Sequence, residues 1–104
     1  MKKSGLDEEG LLIQLEELAD NLEIKIRYEK IFKEGSFFPG GYCKIKRENL
    51  IIINTKASIQ DKIEILARAL ICFDLSQVFI KPALREYLLR YSPDRSSDPL
   101  DSQG

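Results

Sequence analysis

The chain has 104 residues, of which 43% are hydrophobic, so it can form one small domain with a packed core but not two. Its 16 basic and 17 acidic side chains give a formal net charge of -1, which provides no overall attraction to nucleic acid or to an anionic membrane. The sequence contains no histidine. The commonest general base and the commonest catalytic metal ligand are therefore missing, which counts against most hydrolytic and metal-dependent enzymes.

The number of cysteines and the lengths of the apolar runs indicate in which cellular compartment we expect the protein. Cys43 and Cys72 are too few for a disulfide scaffold or a four-cysteine zinc site, and we expect them to be reduced thiols in the core. No long apolar segment follows the basic start, so we expect no signal peptide. The apolar runs are too short to span a membrane, and the cytoplasm is the expected location.

The apolar pattern predicts a helix and then a strand at the start of the chain. Leucines at helical spacing over residues 6–22 share one face of a helix. Residues 23–29 then alternate between apolar and charged side chains, which predicts a half-buried strand. In that strand, Lys25 and Arg27 would lie on the face opposite to the apolar residues.

A hairpin is predicted next, after a loop. The Gly and Pro content of residues 34–41, "EGSFFPGG", indicates a loop. Alternation resumes over residues 42–47, and we place a tight turn at Glu48 and Asn49 before a strand over residues 50–54. Because this last strand is apolar on both faces, we expect it at the centre of the sheet, covered on two sides.

Two helices complete the predicted domain. Ser58 begins a sequence similar to a capping box, and an apolar helix follows to about Phe73. Pro82 suits the first turn of a last helix. We therefore predict an α+β fold for residues 1–91, with a small, three-stranded, mostly antiparallel sheet packed against helices. Residues 92–104 are polar and rich in Pro and Ser, and we expect a disordered tail.

The order of these elements is similar to the amino-terminal half of the ImmA/IrrE-type metallopeptidases, which have a zincin-like fold. The similar segments lie between about residues 18 and 75 and read "LADNLEIKIRY", "GGYCKIKRENLIIIN" and "SIQDKIEILARALICF". They resemble the family's first strand, its hairpin and the helix that carries H-E-x-x-H. The resemblance implies a zincin-like domain, and convergence on a common α/β pattern is the alternative that the sequence leaves open.

The zinc-binding motif of that family is missing from the corresponding helix. The first histidine, the glutamate and the second histidine would fall at Arg68, Ala69 and Cys72. The motif works because residues four apart share a helix face and bind zinc together, while the glutamate polarises the bound water. A cation at Arg68 cannot be a ligand, and Ala69 cannot transfer a proton. The resemblance therefore implies the fold without the activity, and we expect no metal, no cofactor and no enzymatic function.

The loop sequence "SFFPGGY" is the most unusual local feature. If the adjacent Phe37 and Phe38 are exposed, they would form with Tyr42 an apolar anchor for a partner. The opposite interpretation is that one or both phenylalanines fold back over the edge of the core. Our leading interpretation is a non-enzymatic module that binds protein, with self-association as one form of this binding.

Binding of single-stranded nucleic acid is the alternative function. Four basic residues on predicted strands could share one face of the sheet, with aromatic residues near its end: Lys25, Arg27, Lys44 and Lys46. An ordinary solvated sheet face would show the same alternation. Because the chain has no basic pI and no recognised RNA-binding motif, we rank nucleic acid below protein as the partner. The basic residues would then influence which protein binds.

Overall fold

The computed structural model describes residues 7–32 and 35–92. In chain order, the elements are α1 (Glu8–Asn21), β1 (Lys25–Glu29), β2 (Gly40–Ile45), β3 (Glu48–Asn54), α2 (Ile59–Leu70) and α3 (Pro82–Leu89). The predicted α+β class is confirmed. The predicted disordered tail lies, except for Ser92, outside the described residues. Within those residues, none of the helices combines the length and the apolar character that crossing a bilayer requires.

The central strand of the sheet is β3, as its apolar sequence predicts. The strand order is β1-β3-β2, with β2 antiparallel and β1 parallel to β3. One of the two strand pairs is therefore parallel, and the sheet is mixed. The parallel pair forms because β2 and its preceding loop lie between β1 and β3 in the chain, which gives the chain enough length to return to the same end of the sheet.

The hairpin turn lies earlier than the sequence suggests. Ile45 pairs with Glu48, so the two-residue turn is formed by Lys46 and Arg47. Their φ angles are 50° and 73°, in the left-handed region that a two-residue hairpin favours. The placement of the turn at Glu48 and Asn49 was therefore wrong. It followed the preference of Asn for turns, whereas the pairing of the two strands fixes the turn at two basic residues.

The core lies between the helices and one face of the sheet. Its buried side chains come from all three helices, β3 and the connecting segments: Leu11, Leu15, Leu18, Ala19, Ile24, Ile51, Ile53, Ala57, Ile63, Leu66, Ala67, Leu70, Ile80, Leu84 and Leu88. On the opposite face of β3, Leu50 is buried and Ile52 is half-buried, but neither belongs to this core. The helices thus cover one face of the central strand and not both.

A side chain caps each of the first two helices. The carboxylate of Asp7 accepts a hydrogen bond from the Gly10 N–H at 2.8 Å, and the Ser58 hydroxyl accepts one from the Asp61 N–H at 3.0 Å. Each bond satisfies a backbone donor that has no partner within its own helix. The cap at Ser58 was predicted, and it fixes the residue at which α2 begins.

Candidate functional site

Most of the predicted contact residues lie on or beside β2, an edge strand of the sheet. The five residues in this group are Phe37, Phe38, Tyr42, Lys44 and Lys46. Lys25 and Arg27 lie on β1, at the opposite edge. The structure therefore brings the aromatic residues together with two of the four basic ones.

The four basic residues do not share one face of the sheet. Lys25 pairs with Leu50, and Lys44 pairs with Asn49. Directly paired residues point to the same face, while the adjacent residues Asn49 and Leu50 point to opposite faces. Lys25 and Lys44 are consequently on opposite sides of the sheet. The sequence could not show this, because the register between strands is not a local property.

The basic residues of β1 have acidic neighbours. Lys25 forms an ion pair with Glu48 at 3.5 Å, and Arg27 forms one with Glu29 at 3.1 Å. Lys46 lies in the hairpin turn, away from this strand. The continuous basic surface that single-stranded nucleic acid favours is not formed by these four residues.

Aromatic rings lie on both sides of β2. Phe37, Phe38 and Tyr42 are 53%, 40% and 45% exposed, so each ring presents part of its surface to solvent. A Cβ atom added to Gly41 would lie 3.8 Å from the Cζ of Phe38, which places that ring beside Gly41. Because Gly41 and Tyr42 are adjacent in a strand, they face opposite sides of the sheet. Phe38 and Tyr42 therefore flank β2 from its two faces.

A groove of about 480 Å³ lies between β2 and α2, on the side of Tyr42. Its lining consists of Gly40, Gly41, Tyr42, Ile65, Arg68, Ala69, Cys72 and Phe73. The Tyr42 ring meets Phe73 edge to face, with ring centroids 5.7 Å apart. Ile65 and Ala69 are half-buried beneath them. The groove therefore has an apolar floor and an aromatic wall, which suits an apolar side chain of a ligand.

The three positions that the family resemblance singles out all line this groove. The Arg68 guanidinium is held by the Glu64 carboxylate, with an N–O distance of 2.8 Å, and lies over the Tyr91 ring, 5.3 Å from its centroid. The Cys72 thiol is exposed and donates a hydrogen bond to the Arg68 carbonyl at 3.5 Å. The expectation that Cys72 is a core thiol was wrong, because it faces the groove. No group of three His, Cys, Asp or Glu side chains among the described residues could hold a metal ion.

A larger depression of about 790 Å³ lies along β1. Six of its eleven lining residues are charged: Glu16, Asp20, Glu23, Lys25, Arg27 and Glu48. The other five are apolar or aromatic: Ile24, Ile26, Tyr28, Ile45 and Leu50. Charged side chains therefore form a larger share of this lining than of the groove beside β2, where Arg68 is the charged residue.

The outer edge of β2 presents backbone hydrogen-bonding groups. The Asn54 N–H donates to the Pro39 carbonyl at 2.8 Å, so the backbone of Pro39 faces β3. Backbone groups alternate in direction along a strand, and those of Gly41 and Cys43 therefore also face β3. Gly40, Tyr42 and Lys44 direct their N–H and C=O groups away from the sheet. No strand among the described residues pairs with this edge. The edge and the groove together form the candidate site.

No protein-family model, curated protein or solved structure is significantly similar to the chain. The comparisons therefore neither support nor oppose the resemblance to the ImmA/IrrE-type metallopeptidases. The geometry of β2 and the groove is the basis for a functional conclusion.

Proposed function

We propose that the protein is a non-enzymatic module that binds an extended protein segment as an additional strand along β2. The observation that carries this proposal is that the free edge of β2 and the apolar groove lie side by side. Strand addition uses backbone hydrogen bonds for affinity and pockets for alternate side chains for specificity. Both requirements are met at this edge.

The register of the added strand follows from the geometry of β2. In an antiparallel pair, the residue opposite Tyr42 would point to the same face as Tyr42 and would enter the groove. Its two neighbours would point to the other face, where one of them would meet Phe38. An added segment with apolar side chains at adjacent positions would thus contact aromatic rings on both faces.

A zincin-like origin is compatible with this proposal. Arg68, Ala69 and Cys72 would then replace the zinc-binding motif and leave a groove that binds without catalysis. The absence of histidine from the whole sequence supports a non-enzymatic role. A cytoplasmic location, as expected for a chain with two free thiols, is part of the same proposal. Within residues 7–32 and 35–92, no particular feature favours the nucleic-acid alternative.

Selection of peptides from a random library on the immobilised protein, followed by calorimetry, tests this proposal. We expect selected peptides to bind the wild type and the double variant Phe37→Ser, Phe38→Ser to bind them at least about tenfold more weakly, as for aromatic contacts at an interface. Thermal unfolding should change little, because both rings are exposed.

Phe79→Ser is the matched control, since Phe79 is 81% exposed and lies in the connection before α3. Its affinity for the peptides should equal that of the wild type. Equal weakening in the control and the double variant, or unchanged binding in both, would contradict the proposal. A loss of several kcal/mol of stability in the double variant would show instead that the phenylalanines belong to the core.

A further inference from the structure

We propose that a second copy of this chain binds at β2, so that two β2 strands pair antiparallel about a two-fold axis at Tyr42. The two sheets would then form one six-stranded sheet. This inference rests on the proposed function, because it names a partner for the same edge. A closed two-fold dimer is also the commonest form of self-association among soluble proteins.

The backbone of β2 is self-complementary. Its outward-facing residues, Gly40, Tyr42 and Lys44, are evenly spaced about Tyr42. When Tyr42 lies opposite Tyr42 of the second copy, Gly40 of each copy lies opposite Lys44 of the other. All three outward-facing residues then have a hydrogen-bonding partner, whereas a shift of two residues leaves one of them unpaired.

The charges of β2 also permit this pairing. Lys44 lies opposite a glycine rather than another lysine. The two Lys44 residues would be about 13 Å apart along the strands, at about 3.3 Å per residue. This exceeds the Debye length of about 8 Å at physiological ionic strength, so their repulsion is screened.

The same register adds a contact for Phe38. The Phe38 ring lies beside Gly41, and Gly41 of one copy lies opposite Cys43 of the other. Because directly opposite residues point to the same face, the Phe38 ring would lie near the Cys43 side chain of the second copy, and contacts between sulfur and an aromatic ring are favourable. Two-fold symmetry gives the same contact on both sides of the axis.

The groove would be covered by the same arrangement. A two-fold axis perpendicular to the sheet keeps the helices of both copies on one face. Because α2 packs beneath β2 and β3, the two α2 helices would lie next to each other across the axis. Their half-buried groove residues Ile65 and Ala69 would then be removed from water, which adds apolar burial to the backbone hydrogen bonds.

Analytical ultracentrifugation of the full chain between about 1 μM and 1 mM, a range that covers ordinary dimer affinities, measures this self-association. Lys44→Pro should weaken the dimer at least tenfold, because proline removes the outward N–H, which β3 does not use. Lys44→Ala keeps that N–H and should weaken the dimer much less. Circular dichroism verifies that both variants remain folded.

Disulfide trapping tests the register without a proline. In a background with Cys43→Ala and Cys72→Ala, Tyr42→Cys should form a covalent dimer under mild oxidation. Directly opposite residues of a hydrogen-bonded pair have Cα atoms about 5.5 Å apart, within the range of a disulfide. Lys25→Cys in the same background, on the opposite edge of the sheet, is the control and should remain monomeric.

A chain that stays monomeric throughout the concentration range would overturn this inference. So would a dimer that Lys44→Pro leaves intact and Tyr42→Cys does not trap. A monomer that still binds selected peptides along β2 would refute only the second copy as partner, and the proposed function would stand. A dimer that the peptides dissociate would support both.

Discussion

The side chain of Asn54 is buried at the end of β3 and joins three parts of the chain. Its amide N–H groups donate to the carbonyls of Phe38 at 2.9 Å and Ile31 at 3.3 Å, and its Oδ1 accepts from the Lys56 N–H at 3.0 Å. The loop before β2 is thus attached at two points to the central strand. Together with the backbone hydrogen bond from Asn54 to Pro39, this side chain holds the backbone of Phe38 beside the candidate site.

Replacing Asn54 with alanine should lower the free energy of unfolding by about 1–3 kcal/mol, because buried backbone groups lose their hydrogen-bond partners. Asn49→Ala is the matched control. It removes only the exposed bond from the Tyr42 hydroxyl to Asn49 Oδ1, and a change of at most about 0.5 kcal/mol is expected. Urea denaturation of both variants makes the comparison, and equal stabilities would refute this role of Asn54.

Two tyrosines, Tyr28 and Tyr87, make the free energy of unfolding depend on pH in the alkaline range. Partial burial raises the pKa of Tyr28, and its hydrogen bond to the Glu16 carboxylate raises this pKa further. Burial likewise raises the pKa of Tyr87, which is hydrogen-bonded to Tyr91 at 3.0 Å. In both cases, the folded state favours the neutral phenol more than the unfolded state does.

The sign of the pH dependence follows from these shifts. Tyrosines of the unfolded chain lose their protons near pH 10, whereas Tyr28 and Tyr87 keep theirs in the folded state. Their contribution is thus complete below about pH 10 and is lost as the pH rises from there toward their folded pKa values. The free energy of unfolding, measured in urea at several pH values, should fall above about pH 10. Tyr28→Phe with Tyr87→Phe should flatten this fall, and an equally steep decline in the double variant would contradict the assignment.

At the level of secondary-structure elements, the start of β2 requires a glycine at one position and not at the next. Gly40 has a φ of 142°, and a Cβ atom there would lie 2.2 Å from the Ile52 carbonyl oxygen. A Cβ atom at Gly41 would make only an ordinary contact of 3.8 Å with the Phe38 ring. The close approach of β2 to β3 at Gly40 therefore sets where the strand begins.

The adjacent glycines provide a matched pair of variants. Gly40→Ala should lower the free energy of unfolding by about 1–3 kcal/mol, because the backbone must move to relieve the overlap. Gly41→Ala should leave stability nearly unchanged, or raise it by up to about 1 kcal/mol through the entropy of the unfolded chain. Thermal or urea unfolding distinguishes the two. Similar losses in both variants would show that the strand start is not set by this contact.

The elements that the sequence predicted correctly are those that local rules determine. The apolar run of β3 identified the central strand, and Ser58 identified the start of α2. The position of the turn at Lys46 and Arg47 depends on strand pairing, so turn preferences alone misplaced it. The opposite orientations of Lys25 and Lys44 depend on the register between strands, which no local pattern contains.

At the level of the whole molecule, the candidate site arises from elements that are distant in the sequence. Tyr42 on β2 and Phe73 after α2 form one wall of the groove, although they are 31 positions apart. The sequence predicted Phe37, Phe38 and Tyr42 as contacts, and the family resemblance drew attention to Arg68, Ala69 and Cys72. Nothing in the sequence indicated that Tyr42 lies beside those last three residues in one groove. Ile65 and Phe73 were missed as groove residues because their apolar character is equally typical of a core.

Amide hydrogen exchange along β2 tests the central claim most directly. At concentrations where the chain is monomeric, we expect a bound peptide to slow exchange at the outward amides of Tyr42 and Lys44, while β3 already protects the amides of Gly41 and Cys43. Protection at alternate residues is specific to strand addition, because each added hydrogen bond involves one outward amide. If bound peptides leave Tyr42 and Lys44 unprotected and slow exchange elsewhere, the claim that β2 is the binding edge is wrong.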